Sequence, residues 1–199
     1  MLKYSGGFNA ETKYFEGHDK AIVSYLKTLL TAISDFSKSW NDEQSKGFLD
    51  SCNNDIKDAY SKLNTVHLKM EQCFAELQNM LNPLGNFTKM ELPTLEVLDE
   101  PEIAEFTDTV VFDDKAIPAI IQTITTTARD MCSDIEEFQP SPTSFAGSSE
   151  DVIANVTKIL KNAAESYQIL EQPVQHIMSE AKKVKEAYDS IISATGGGN

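Results

Sequence analysis

The chain has 199 residues, 41% of them hydrophobic, and a formal net charge of −14 at pH 7. So large a negative charge argues against binding to nucleic acid or to an anionic membrane surface, because both present phosphate groups of the same sign. No apolar run approaches the ~20 residues that span a bilayer, and the first residues lack the apolar core of a cleaved secretory signal. Proteins are therefore the expected partners.

The first half of the chain predicts a helical hairpin, at residues 18–82, that turns at Trp40. Apolar residues recur at alternating steps of three and four from Ile22 to Trp40, and again from Leu49 to Met80. This spacing places them on one face of each of two helices. Such wide apolar faces are typical of a multi-helix bundle.

The ends of these two helices can also be predicted. The first is expected to run from about His18 to Ser39, with Gly17 breaking any earlier turn, and the second from about Asp42 to Leu81. The second helix exceeds the first by about 18 residues, or about 27 Å. That overhang needs another surface to pack against.

Residues 83–116 form a long acidic crossover with apolar residues spread along it. A disordered linker would lack those apolar residues, so we expect a mostly extended segment that packs on the bundle. A short helix near 101–106 and a short strand at 109–112 are predicted within it.

The second half, residues 117–193, repeats the plan of the first. A helix begins near Pro118 and is stopped by the prolines after Phe138, and a longer helix follows from about Ser149. The apolar pattern continues through Pro173, which predicts a kink there rather than a break. Residues 194–199 are expected to form a flexible tail. The predicted fold is all-α: one elongated domain, 1–199, of two hairpins with arms of about 22 and about 40 residues.

Histidine and cysteine show no arrangement typical of a metal or catalytic site. His18, His67 and His176 have no second ligand at metal-binding spacing, and His67 lies in an apolar row that indicates a core or interface position. The three cysteines are interpreted as small buried apolar residues, and no disulfide framework is indicated. No catalytic motif, cofactor site or small-molecule substrate site is predicted.

Both predicted turns contain an aromatic residue. Trp40 is followed two positions later by Asp42, and Phe145 is followed two positions later by Gly147. An aromatic residue two positions before glycine, at the turn of a helical hairpin, resembles the WXG family of type VII secretion proteins. Asp42 stands where that family has glycine, and Phe145 where it has tryptophan.

Two such hairpins joined by a crossover are similar in plan to the LXG domain, the N-terminal helical region of antibacterial toxins exported by type VII secretion. The resemblance covers the whole chain, although no Leu-x-Gly triplet occurs in it. It implies a non-catalytic targeting domain that binds small helical WXG-like adaptor proteins and the secretion machinery. It also implies a protein that is cytoplasmic before export and then secreted, or held at the cell surface, by a route other than the general secretory one.

The overhanging helix faces are the predicted partner sites, because exposed apolar faces mark interaction surfaces. The candidate residues are Val66, Met70, Phe74, Leu77, Ile177, Val184, Tyr188 and Ile191. A Tyr-x-x-x-Asp/Glu export signal of the exported families is matched by Tyr167 and Glu171. Tyr167 also lies on the apolar face, so an ordinary core position is the alternative interpretation.

Two other functions fit the same pattern. The chain could be a cytosolic adaptor or chaperone that escorts a type VII substrate, or a helical scaffold unrelated to secretion. A targeting domain predicts that the natural reading frame continues into a toxin, whereas an adaptor predicts a natural stop at this point.

Overall fold

The structure is a computed structural model that describes residues 9–84, 91–106, 110–145 and 148–196. Its described residues are predominantly helical, and the all-α fold class is confirmed. The helices are α1 (Asn9–Ser39), α2 (Glu43–Leu81), α3 (Ala116–Glu137), α4 (Glu150–Glu165) and α5 (Glu171–Thr195), with 3₁₀ turns at Asn82–Leu84, Thr143–Phe145 and Ser166–Leu170. Two short strands, β1 (Trp40–Asn41) and β2 (Val111–Phe112), pair antiparallel.

Four of the helices enclose one core. α1 packs against α2 and α3, and α5 packs against the same two helices, so that α1 faces α5 across the bundle. The apolar rows predicted from the sequence line this core; Ile22, Leu63 and Val174 are fully buried. Within the described ranges, no helix is both long and apolar enough to cross a membrane.

The first helix begins nine residues earlier than the sequence predicted. α1 starts at Asn9 and continues through Gly17, which therefore does not break it. A glycine inside a helix costs about 1 kcal/mol relative to alanine. Burial of one phenylalanine side chain stabilises the fold by roughly 1.5–3 kcal/mol. Phe15, two residues before this glycine in α1, is completely buried. Tertiary packing outweighs the local preference.

The long helix of the second half is interrupted, and the prediction of one continuous arm is wrong. α4 ends at Glu165, a 3₁₀ turn covers Ser166–Leu170, and α5 begins at Glu171. Pro173 is the third residue of α5, where a missing N–H removes no helical hydrogen bond. The helix tightens before the proline, and the N–H of Glu171 reaches the carbonyl of Gln168. The distortion therefore precedes the proline that causes it.

The two halves also pack differently. α1 and α2 lie against each other over a short connection, as predicted for the first hairpin. In the second half, α3 packs on α5, while α4 lies against α2 and makes little contact with α3 in the described chain. The predicted short arm, α3, therefore packs mainly on α5, the second of the two helices into which the predicted long arm is divided.

The described part of the crossover lies along α1 and α2. The sequence predicted an extended segment packed on the bundle, without specifying which helices it contacts. Leu92, Leu95, Leu98 and Pro101 are buried or half-buried at every third position, which matches the three residues per turn of a polyproline II strand. Side chains of α1 and β1 hold the end of this segment: Ser34 Oγ donates to the Glu102 carbonyl at 2.7 Å, Ser37 Oγ accepts from the Ala104 N–H at 2.9 Å, and Asn41 Nδ2 donates to the Glu105 carbonyl at 2.9 Å.

The predicted helix near 101–106 is absent from these described residues, which are extended. Their backbone groups bond to α1 side chains, so the hydrogen bonds that a helix would supply are made elsewhere. The predicted strand at 109–112 is confirmed over Val111–Phe112.

Candidate functional site

The predicted hinge at Trp40 is a buried aromatic junction. Trp40 is fully buried, and its ring centroid lies 5.7 Å from that of Phe36 in α1 and 5.2 Å from that of Phe112 in β2. Phe112 in turn stacks on Tyr188 of α5 at 5.8 Å. Because Trp40 and Phe112 are direct partners in the two-stranded sheet, the hinge connects the first hairpin, the crossover and the last helix.

Asp42 begins the second helix by capping it. Its side chain accepts the Ser45 N–H at 2.8 Å, and Ser45 Oγ accepts the Asp42 N–H at 2.9 Å, which completes a capping box. Its backbone is extended, at φ −148° and ψ −179°. Any L-residue adopts that conformation, so glycine is not required at this position.

The second predicted hinge has a different structure. Phe145 is 1% exposed and lies in a 3₁₀ turn that packs on α1, not between the helices of its own hairpin. The N–H of the neighbouring Ser144 donates to Glu11 Oε1 at 2.8 Å, and Glu11 is fully buried. Gly147 lies outside the described residues. Phe145 therefore anchors the turn on the start of α1.

Most predicted partner-binding residues are buried inside the chain, so their prediction as exposed surface is wrong. Phe74 packs edge-on against Phe15, with ring centroids 5.5 Å apart, because α1 extends further than predicted. α4 also packs on α2, and the apolar face of α5 packs against α2 and α3. The residues concerned are Val66, Met70, Phe74, Leu77, Ile177 and Val184, all at most 5% exposed.

Two of those candidates remain half-buried at the Trp40 end of the bundle. Tyr188 stacks on Phe112 and donates from its hydroxyl to the Asp114 carbonyl at 2.8 Å. Ile191 lies one turn further along α5 and packs at the edge of the core. Tyr188 therefore contributes to the hinge junction.

The tyrosine of the predicted export signal is a core residue. Tyr167 is fully buried, and its hydroxyl donates to Asp19 Oδ1 at 2.6 Å. Burial, together with the negative charge of Asp19, raises the pKa of Tyr167 far above its ordinary value. Glu171 is half-buried at the first residue of α5. In the folded chain Tyr167 is thus a core packing residue, and Glu171 is the first residue of α5.

Asp19 is the centre of a buried polar cluster that the sequence did not reveal. Besides the hydroxyl of Tyr167, its carboxylate contacts His67 Nδ1 at 2.8 Å, and Asp19 itself is 3% exposed. Burial raises the pKa of Asp19, while hydrogen bonds from Tyr167 and His67 oppose that rise. The cluster joins α1, α2 and the turn before α5, and it gives His67 the core role that its spacing predicted.

His18 lies beside this cluster within a group of aromatic rings. Its imidazole stacks on Phe138 with centroids 3.9 Å apart and planes 2° apart, and meets Tyr167 edge-on at 4.5 Å. Burial lowers the pKa of His18 to about 4, against the opposing charge of Asp134. The imidazole is therefore neutral at pH 7. The sequence did not indicate this buried environment, because it predicted that the helix begins at about His18, whereas α1 begins at Asn9.

The cysteines are free thiols with little tendency to ionise. Cys52 and Cys132 are buried, as predicted, whereas Cys73 is only half-buried, which corrects the prediction for that residue. Burial raises the pKa of Cys132 to about 11, and it raises the pKa values of Cys52 and Cys73 as well. Thiolate chemistry is disfavoured at all three.

A cleft of about 370 Å³ lies between the end of α3 and α4. Ile135, Phe138 and Ala164 form apolar wall, and Lys161 at its rim lies 3.7 Å from Glu165. Within the part of the chain that the structure describes, no three histidine, cysteine or acidic side chains are grouped so as to hold a metal ion. The described residues thus form a packed apolar core with buried hydrogen bonds around Asp19, and exposed apolar side chains such as Val97 lie on the crossover.

Comparison of the chain with protein-family models, with curated proteins and with solved structures finds no match.

Proposed function

We propose that this chain is a non-catalytic helical domain that targets a protein to type VII export by binding protein partners, in the manner of an LXG-type domain. The observation that carries the proposal is the hinge: a fully buried Trp40 at the turn between two long, mutually packed helices. This is the position that the family resemblance assigns to its characteristic tryptophan. The acidic charge of −14 favours basic protein surfaces as partners.

Burial of the predicted partner faces changes where a partner would bind. The apolar rows of α2 and α5 are filled by the chain's own helices, so an adaptor would dock on the outer surface of the folded bundle. Large apolar side chains on that surface include Leu68 on α2, which is 60% exposed, and Val97 on the crossover, which is 73% exposed. Docking there leaves the core intact.

The direct test is export. An epitope-tagged chain is produced in a bacterium with a working type VII machine and in an isogenic strain whose machine is inactivated. The proposal expects the chain in the culture medium of the first strain only, with a cytoplasmic marker retained in both. Retention of the chain inside both strains, in the presence of a known exported substrate as positive control, would contradict it.

A matched pair of variants separates an export signal from a packing role. Glu171→Gln removes the acid of the Tyr-x-x-x-Glu pattern and leaves Tyr167 in place, and Gln172→Glu adds an acid at the neighbouring position. If the pattern is a signal, the first variant is exported less at unchanged thermal stability, and the second is exported normally. Equal export of both variants would assign Tyr167 and Glu171 to packing alone.

A further inference from the structure

We infer that the outer edge of β2 is a docking site for an extended segment of a partner protein that carries apolar and basic side chains. The site consists of Phe106 and Val110–Phe112, on the surface beside the Trp40 hinge. It goes beyond the proposed export function, and its test requires no secretion.

The backbone register leaves hydrogen-bonding groups on the outer edge of β2. Val111 lies opposite Asn41, and the N–H of Asp113 donates to the Ser39 carbonyl at 2.7 Å. Successive residues of an antiparallel strand point their N–H and C=O groups alternately toward and away from the partner strand. The N–H and C=O of Phe112 therefore point away from β1. Among described residues, no further backbone group bonds to that edge.

The side chains around this edge are apolar and exposed. Val110 is 66% exposed, Val111 is 41% exposed and Phe106 is 39% exposed. Phe112 lies on the opposite face of the strand, where it packs on Trp40 and Tyr188. The hinge thus covers one face of β2, while Val111 faces solvent on the other and Val110 is exposed just before the strand begins.

The charges around the site favour a basic partner. Glu105 and Asp113 are exposed directly beside Phe106 and Phe112. Further acids near β1 and β2 in the sequence are Asp42, Glu43 and Asp114. The opposing positive charges in the same stretches are Lys46, whose ammonium group lies 5.6 Å above the Phe106 ring, and Lys115. A segment with apolar and basic residues would place an apolar side chain beside Val111 and a cation over Asp113, which lies two residues later on the same face.

An extended segment fits this site better than a helix. An open strand edge supplies main-chain hydrogen bonds that only another extended chain satisfies, and alternate side chains then provide specificity. Isolated edge strands are ready templates for such pairing. A helix would bury the valines and leave the Phe112 amide and carbonyl without partners.

Peptide selection tests the inference. Random dodecapeptides displayed on phage are selected on the intact chain and counter-selected on a Val110→Asp and Val111→Asp double variant. Enriched peptides should combine apolar residues with lysine or arginine, and should bind the double variant at least roughly tenfold more weakly, a difference of about 1.4 kcal/mol. Their affinity should fall when salt is raised from about 0.05 to about 0.5 M, because exposed charges are then screened.

Two further variants control the result. Val97→Asp changes an exposed crossover valine outside the site and should leave peptide binding unchanged. Glu105→Lys reverses a charge beside the site and should weaken binding. Hydrogen exchange at the Phe112 amide should slow when a selected peptide is bound. Peptides that bind the double variant equally well, protection at other amides only, or no enriched peptide at all would each overturn the inference.

Discussion

The hydroxyl of Tyr167 donates a 2.6 Å hydrogen bond to the carboxylate of Asp19, a residue 148 positions earlier in the chain. The same carboxylate contacts His67 at 2.8 Å. One buried acid thus ties the first helix to the second and to the turn that precedes the last. An ionised carboxylate is stable at so buried a position only because both of its oxygens are satisfied.

Removal of that hydroxyl should therefore weaken the fold. Tyr167→Phe keeps the ring contacts with Phe15 and Phe138 and removes only the donor to Asp19. We expect the free energy of unfolding to fall by about 1.5–3 kcal/mol, the range for a hydrogen bond to a charged buried group. Urea denaturation measures it. Tyr60→Phe removes a hydroxyl bonded to the Glu96 carbonyl at an exposed position and should cost less than about 1 kcal/mol. Equal losses in the two variants would contradict the role of the cluster.

His18 should make stability dependent on pH in a defined window. Its pKa is lowered by burial from 6.5 to about 4, so between these values the unfolded chain binds a proton that the folded chain does not. Stability then rises with pH across this window and is lost as pH falls through it, by on the order of 3 kcal/mol in total. Urea denaturation at a series of pH values measures this slope.

The effect of His18 is isolated by comparison with His18→Phe, which preserves a ring against Phe138. Asp19 acts in the opposite direction, because its raised pKa makes the folded state bind protons more tightly than the unfolded state, so stability falls as pH rises through that range. Both proteins retain Asp19. The slopes of stability against pH should therefore differ between the two proteins below about pH 6.5, the unperturbed histidine pKa, and become equal above it. Parallel profiles from pH 4 to 7 would assign the slope to other groups.

Gly17→Ala should stabilise the protein. Gly17 lies inside α1, and apart from its chain neighbours and the adjacent helix backbone no atom lies within 4 Å of the position that a Cβ atom would occupy. Alanine there lowers the entropy of the unfolded chain and has the higher helix propensity, for a gain of about 0.4–1 kcal/mol. Gly196→Ala is the matched control, because its φ of +71° at the end of α5 strains any L-side chain. Thermal denaturation should show a rise for the first and no rise for the second.

Asp42 offers a test of the turn chemistry. Asp42→Ala removes the oxygen that accepts the Ser45 N–H and should cost about 1 kcal/mol. Asp42→Gly, which introduces the residue that WXG proteins have at the corresponding turn position, should cost only a few tenths of a kcal/mol, because glycine is itself an acceptable N-cap. Chemical denaturation of the two variants gives the order. A larger loss for glycine than for alanine would show that the aspartate acts through something other than the cap.

Local periodicity predicted the helical faces well, and long-range contacts decided the exceptions. Cys52, Ile56 and Leu63 are buried as their three-and-four spacing required. Gly17 and Pro173 are two such exceptions, because α1 does not begin after the first and the long helix predicted through the second is divided into α4 and α5. Packing of Phe15 extends α1 past the first, and a 3₁₀ turn places the second where it removes no hydrogen bond.

The sequence by itself determined that this protein is helical, that its chain turns near Trp40 and Phe145, and that its crossover packs on the bundle. These properties depend on the spacing of apolar residues and on capping residues, which act between near neighbours. Only the tertiary structure decided that α3 meets α5, that the supposed partner faces are filled from within, and that Asp19 joins His67 to Tyr167. Amphipathic faces of similar width are interchangeable in sequence. Their pairing is chosen by the shape of the whole core and by single buried polar contacts, which have no local signature.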